Sequence, residues 1–169
     1  MPLAPDDLFA LLDRFGIPSS TVRHRAVFTV AESQDVCAGI PGAHTKNLFL
    51  KDKRGRLFLV TAGQGAVLDL KHLHHDLGAS GRLSFGAAEL LWEVLGVTPG
   101  SVTTLAAAND EAGRVTVVLE AGLMAAEEIS LHPLVNTMTT TLRRDDLVRF
   151  LEAVGHPPLV LKLDRGEDG

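Results

Sequence analysis

The chain has 169 residues, 46% hydrophobic and 22% charged, with a formal net charge of −5; this is one domain's length with ample core material, which excludes intrinsic disorder for most of it. The lone Cys37 excludes an internal disulfide framework and a cysteine-rich zinc site and fits a reducing compartment. The acidic balance argues against a general nucleic-acid binder, and neither a signal-peptide pattern nor an apolar run of the roughly 20 residues a bilayer requires is present, so a cytoplasmic protein with no membrane partner is expected.

Leu8, Leu11, Leu12 and Phe15 share one helical face, acids fill the first turn and Gly16 follows, so an amphipathic helix is predicted over Pro5–Phe15. A short β-branched stretch surrounds Val22. Thr29 and Glu32 form a capping box, which starts a second helix running to about Cys37. Gly39-Ile40-Pro41-Gly42 breaks it. Asn47–Leu50 and Leu57–Val60 then flank the turn-forming Asp52–Gly55, the clearest β-hairpin in the chain. Asp69–Leu77 and Phe85–Leu95 read as helices, and Arg114–Leu119, Ile129–Leu131 and Thr137–Leu142 as strands. A last helix over Asp145–Val154 and a strand over Leu159–Leu161 complete a domain spanning 1–163. Residues 164–169 are charged and expected to fray. Helices and strands interleave at irregular lengths without an internal repeat, which predicts an α+β fold with a mixed, curved sheet.

Phosphate-cradling loops, G-x-S-x-G and H-E-x-x-H are absent, and Gly63-Gln64-Gly65 alone carries little weight. His72, His75 and Asp76 fall at helical spacing but lack the distant ligand pair that closed zinc sites recruit, so an exposed helical face is expected there. Cys37 has no positioned base and reads as a small core residue. Five cations, Lys46, Lys51, Lys53, Arg54 and Arg56, face only Asp52 between positions 46 and 56. They suit either a solvated hairpin edge or a local polyanion contact. Three segments combine polar groups with turn-prone backbone: Ala43–Leu50, with Lys46 and Asn47 at the start of an apolar strand; Gly96–Thr104, whose successive amides can form an anion-binding nest; and Ser130–Thr139.

Five ordered blocks carry a resemblance: Val27–Val30, Thr45–Asp52, Gly96–Thr103, Ala108–Asp110 and His132–Thr137. From about Val27 to Leu161 the chain resembles the YbaK/prolyl-tRNA-synthetase-associated editing domains, and within them the freestanding ProX type. The resemblance implies a barrel-like mixed sheet with surrounding helices, no cofactor and no bound metal. It implies hydrolysis, in trans, of the ester of mischarged alanyl-tRNA(Pro), with cysteine or another small amino acid as an alternative substrate. The implied partners are the tRNA acceptor end and, beyond it, prolyl-tRNA synthetase or an elongation factor; oligomeric state is left open. The family's essential lysine falls on Lys46, its editing loop begins at Gly100, and its histidine at the pocket mouth falls on His132. Phe28, Thr29, Asn47, Ser101, Val102, Leu131 and Asn136 are the expected substrate contacts, with Leu134 a further candidate wall. Lys51, Lys53, Arg54 and Arg56 are the expected tRNA contacts. One position departs from the pattern: Thr104 stands where the family's loop carries proline, whose fixed φ stiffens the backbone. A non-catalytic module of the same fold, binding tRNA or a synthetase, is the rival reading.

Overall fold

A computed structural model describes residues 1–166, apart from the side chain of Val30. Pro5 opens α1 (Pro5–Arg14) without an N–H to leave unpaired, and Asp7 Oδ2 accepts the Ala4 amide at 2.9 Å. β1 (Ser19–Arg23) follows, then α2 (Val30–Val36), which Thr29 caps by accepting the Glu32 amide at 3.1 Å. β2 (Ala43–Lys51) and β3 (Leu57–Gly63) form the predicted hairpin, longer than the apolar runs alone suggest. After α3 (Leu73–Leu77), β4 (Ser84–Phe85) and α4 (Ala88–Leu95) come β5 (Val115–Glu120), β6 (Glu128–Leu131), β7 (Met138–Arg143), α5 (Arg144–Ala153) and β8 (Leu159–Leu161).

The main sheet path runs β1-β7-β6-β2-β3-β5-β8, with β4 paired to β2. It is mixed: β2–β6, β3–β5 and β5–β8 are parallel and the other pairs antiparallel. The α+β class holds, but the sheet is open, since among the described residues β1 and β8 end the path without pairing to each other.

Period-two alternation explains why β3 is buried on both faces. Leu57 and Leu59 join a large core with Leu8, Leu12, Leu91, Leu95, Leu147 and Phe150, which brings α1, α4 and α5 onto one side. Phe58 and Val60 join a smaller cluster with Leu50, Leu73, Leu77, Val118 and Leu163 on the other. Each such side chain contributes about 1.5–3 kcal/mol on burial. No described helix is long and apolar enough to cross a membrane.

Three expectations change. The helix predicted over Asp69–Leu77 contracts to α3, because the Asp69 carbonyl closes a turn onto the His72 and Leu73 amides. The one predicted from Phe85 starts three residues later, because Ser84 and Phe85 pair with Lys51 and Leu50. The tail does not fray at Asp164: it bridges to Leu68, its Oδ1 accepts the Val67 amide at 3.0 Å, and the Arg165 amide donates to the Val67 carbonyl at 2.8 Å. The remainder of the predicted fray, residues 167–169, lies outside the described residues.

Candidate active site

A cleft of about 180 Å³ opens where β2, the segment before α2, the Gly96–Thr103 loop and the loop after β6 converge. Lys46, Asn47, Phe28, Thr29, Gly100, Val102 and His132 line it together, although they come from four separate stretches of chain.

From β2, Lys46 donates its Nζ to the Ala66 carbonyl, which anchors the ammonium at the cleft wall. Asn47 Oδ1 accepts from the Thr61 hydroxyl at 2.6 Å, leaving the Asn47 amide nitrogen without a protein partner among the described residues. The cap at Thr29 fixes the start of α2, so its side chain is committed to the helix. Phe28 precedes it at the rim, 70% exposed.

The Gly96–Thr103 loop supplies backbone donors. Ser101 is buried outside the lining and its amide donates to the Thr98 carbonyl at 3.0 Å. The neighbouring amides of Gly100 and Val102 have no protein acceptor among the described residues. Gly100 holds φ +90°, where a Cβ would meet the Phe28 ring at 3.3 Å. Thr104, where the resemblance leads one to expect proline, opens a 3-10 turn over Thr104–Asn109. The preceding Thr103 caps that turn: its hydroxyl accepts the Leu105 amide at 3.3 Å and its carbonyl the Ala106 amide at 3.1 Å. The cap thus ties the loop to the turn beside Thr104, and the Thr104 hydroxyl is left buried without a partner among the described residues.

His132 Nδ1 faces the Met138 carbonyl at 3.2 Å. A carbonyl only accepts, so Nδ1 carries the proton and Nε2 presents a lone pair in the neutral ring. Burial pushes the His132 pKa below its ordinary value; the Met138 carbonyl pulls the other way and the charge of His24 adds to the lowering. The loop that carries His132 is pinned by Leu134, at φ 72° and 6% exposed, whose burial in the large core offsets a backbone cost of about 1–2 kcal/mol.

The other expected contacts stand elsewhere. Asn136 does not line the cleft; its amide donates to the Val27 carbonyl at 2.8 Å and steadies the Phe28 segment. Leu131 is buried in the large core beside the cleft, as is Leu134. Lys51, Lys53, Arg54 and Arg56 are exposed at the hairpin end of β2. Lys51 lies five residues along β2 from Lys46, about 17 Å of strand. Arg56 there is tied to Asp52 at 3.0 Å and to the Gly78 carbonyl at 2.6 Å. Burial pushes the Asp52 carboxyl up, and the amides of Ser80, Arg56 and Arg54 with the Arg56 guanidinium outweigh it, holding the pKa at about 2.

Sequence reasoning missed Ser33 and Gln64. Gln64 Nε2 donates to Ser33 Oγ at 2.9 Å, joining the end of β3 to α2 across the cleft wall. The Gly63-Gln64-Gly65 run directly after an apolar strand was the one signal that pointed there. Cys37 is buried outside the cleft, 3.6 Å from the Thr139 hydroxyl. His72 pairs with Asp69 and Asp76 with Arg165, and no group of three or more candidate ligands among the described residues could hold a metal ion.

The cleft therefore combines a fixed cation, unpaired backbone amides, a free side-chain amide and a neutral imidazole acceptor. Such a set can orient a water through a hydrogen bond and stabilise a developing oxyanion, as ester hydrolysis requires.

The family model of the aminoacyl-tRNA editing domain matches residues 24–150. A zebrafish (Danio rerio) prolyl-tRNA synthetase associated domain-containing protein 1 is 39% identical over 160 residues, covering 94% of this chain and 86% of that one. The prolyl-tRNA editing protein ProX of Acetoanaerobium sticklandii is 32% identical over 154 residues, covering 90% and 93%. A crystal structure of a proposed trans-editing enzyme for prolyl-tRNA synthetase shares the fold, with TM-score 0.67 at 20% identity over 95% of this chain and 98% of that one. The chain belongs to the aminoacyl-tRNA editing domain family.

Proposed function

We propose that the cleft hydrolyses, in trans, the ester between alanine and the terminal ribose of mischarged tRNA(Pro). The observation that carries this reading is the meeting of Lys46, the free amides of Gly100 and Val102, and the Nε2 lone pair of His132 on one cleft. The two amides receive the oxyanion, where glycine at φ +90° lets the ester approach the backbone. Lys46 neutralises the terminal phosphate or polarises the ester carbonyl. His132, neutral at physiological pH, accepts a hydrogen bond from the attacking water, while the Asn47 amide holds the ribose end. A nucleophilic triad plays no part, so the water is positioned rather than replaced by a covalent intermediate.

Specificity is a matter of size. A hydrophobic wall separates neighbouring homologues by only about 1–3 kcal/mol per methylene, so a site that admits a methyl group and turns away larger side chains complements a synthetase that selects the other way. The acceptor strand leaves the cleft toward the hairpin end of β2, where Lys51, Lys53 and Arg54 meet its phosphates; Arg56, engaged with Asp52, mainly shapes that turn. Partnership with prolyl-tRNA synthetase would deliver the mischarged tRNA directly. The test is deacylation of alanyl-, cysteinyl- and prolyl-tRNA(Pro) by the purified chain. Loss of alanine alone supports the proposal. Binding of tRNA with no hydrolysis of any ester would replace it with a binding module on the same fold.

A further inference from the structure

The site lysine is not held by its own strand alone. Its Nζ bonds to the carbonyl of Ala66, in the loop between β3 and α3, and that loop is secured from outside by the C-terminal segment. Asp164 Oδ1 accepts the amides of Val67 at 3.0 Å and Gly166 at 2.9 Å. The Arg165 amide returns a bond to the Val67 carbonyl at 2.8 Å, and the Arg165 guanidinium reaches Asp76 at 3.0 Å. The segment is itself gripped at its base, where buried Glu120 Oε2 accepts the amides of Leu163 and Asp164. The Val67 amide that Asp164 holds belongs to the same peptide unit as the Ala66 carbonyl that receives the lysine.

We infer that Asp164 is a positioning residue for Lys46: it locks Val67, and through it the Ala66 carbonyl, so that the ammonium is held at the cleft wall. This inference rests on the proposed role of Lys46. The physical need is plain, since a lysine carries a flexible four-carbon stem, and a misplacement on the order of 1 Å at a reacting group costs about a hundredfold in rate. Asp164 makes no direct ion pair with Lys46 among the described residues, although the lysine's charge contributes, after the two amides, to keeping the Asp164 carboxyl below its ordinary value.

The experiment compares the full chain with Asp164→Ala and Asp164→Asn by two readouts. The first is acetylation of Lys46 by acetic anhydride, followed by mass spectrometry; the second is deacylation of alanyl-tRNA(Pro). With the Val67 bond gone, Asp164→Ala should acetylate Lys46 several-fold faster and lose on the order of ten- to a hundredfold in kcat, with KM little changed. Asparagine keeps an oxygen acceptor for the two amides, so Asp164→Asn should restore most of the kcat and the slow labelling. Unchanged labelling and unchanged kcat in a folded Asp164→Ala variant would overturn the inference, as would Asp164→Asn behaving no better than Asp164→Ala. Faster labelling in a chain whose parent deacylates nothing would support the tether and overturn the reading of the site.

Discussion

Replacing Gly100 by alanine separates the backbone requirement of the cleft from its side chains. At φ +90° an L side chain costs about 1–2 kcal/mol of backbone strain. The added Cβ would lie 3.3 Å from the Phe28 ring, and Phe28, being exposed, can swing aside, so the strain rather than the clash sets the stability loss. For a chain of 169 residues each kcal/mol shifts Tm by about 2–4 °C, which gives a fall of about 2–8 °C. Activity should suffer more, because any relaxation of φ displaces the Gly100 and Val102 amides: kcat for alanyl-tRNA(Pro) should drop on the order of a hundredfold with the chain still folded. Thermal unfolding and single-turnover deacylation measure the two effects. Gly39→Ala, where a Cβ meets nothing within 4 Å, serves as the control and should change neither. A Gly100→Ala variant with parental Tm and parental kcat would refute both the strained conformation and the role given to the loop amides.

Protonating His132 removes its acceptor, and burial holds its pKa below 6.5, so activity should be full at pH 7 and fall only as pH drops below the ordinary histidine range; an acid limb at or above 6.5 in the rate profile would contradict this. The same lowering makes the unfolded chain bind the proton first, so stability should begin to fall as pH drops through 6.5, and His132→Gln should flatten that part of a Tm-against-pH curve. Asp52 titrates lower still: its folded pKa of about 2 against 3.8 means that its stabilisation is complete above about pH 4 and fades toward pH 2, and Asp52→Ala should lower Tm at neutral pH without altering kcat. Combined Lys51→Ala, Lys53→Ala and Arg54→Ala should raise KM for tRNA and flatten the dependence of binding on salt, by about one unit of slope for each phosphate no longer neutralised; an unaltered slope would rule out the hairpin end as a tRNA-binding surface. Phe150→Ala empties a fully buried site that packs edge-on against Phe15 at 6.1 Å and should cost about 3–5 kcal/mol in chemical denaturation.

The elements that were legible in the sequence are those whose signals are local. α1 and α5 follow apolar spacing with a terminal glycine, α2 follows the Thr29 cap, and the β2–β3 hairpin follows Asp52 and Gly55 in its turn. Local pattern misleads where a distant partner decides. Phe85 continues a helical pattern, yet Leu50 pairs with it as a strand; Ala43 looks like loop, yet Ile129 pairs with it in parallel; Asp164 looks like a fraying end, yet Val67 binds it. The site divides in the same way. Lys46, Gly100 and His132 were marked by residue type and by ordered blocks, whereas Ser33 and Gln64 were not, since their bond joins positions 31 residues apart that carry no distinctive chemistry singly. Leu134 gives no sign in sequence of a positive φ, because the packing that holds it there belongs to the whole core. Thr104 was the reverse case: a visible departure whose consequence for rigidity depended on a cap from Thr103 that only the fold displays.

The role of Lys46 is the centre of the account, and the most direct test is deacylation of alanyl-tRNA(Pro) and prolyl-tRNA(Pro) by the parent chain and by Lys46→Ala, with circular dichroism to establish that the variant folds. The account predicts rapid release of alanine, little release of proline, and loss of the alanine activity in a variant of parental fold. Deacylation by folded Lys46→Ala at the parental rate would contradict it.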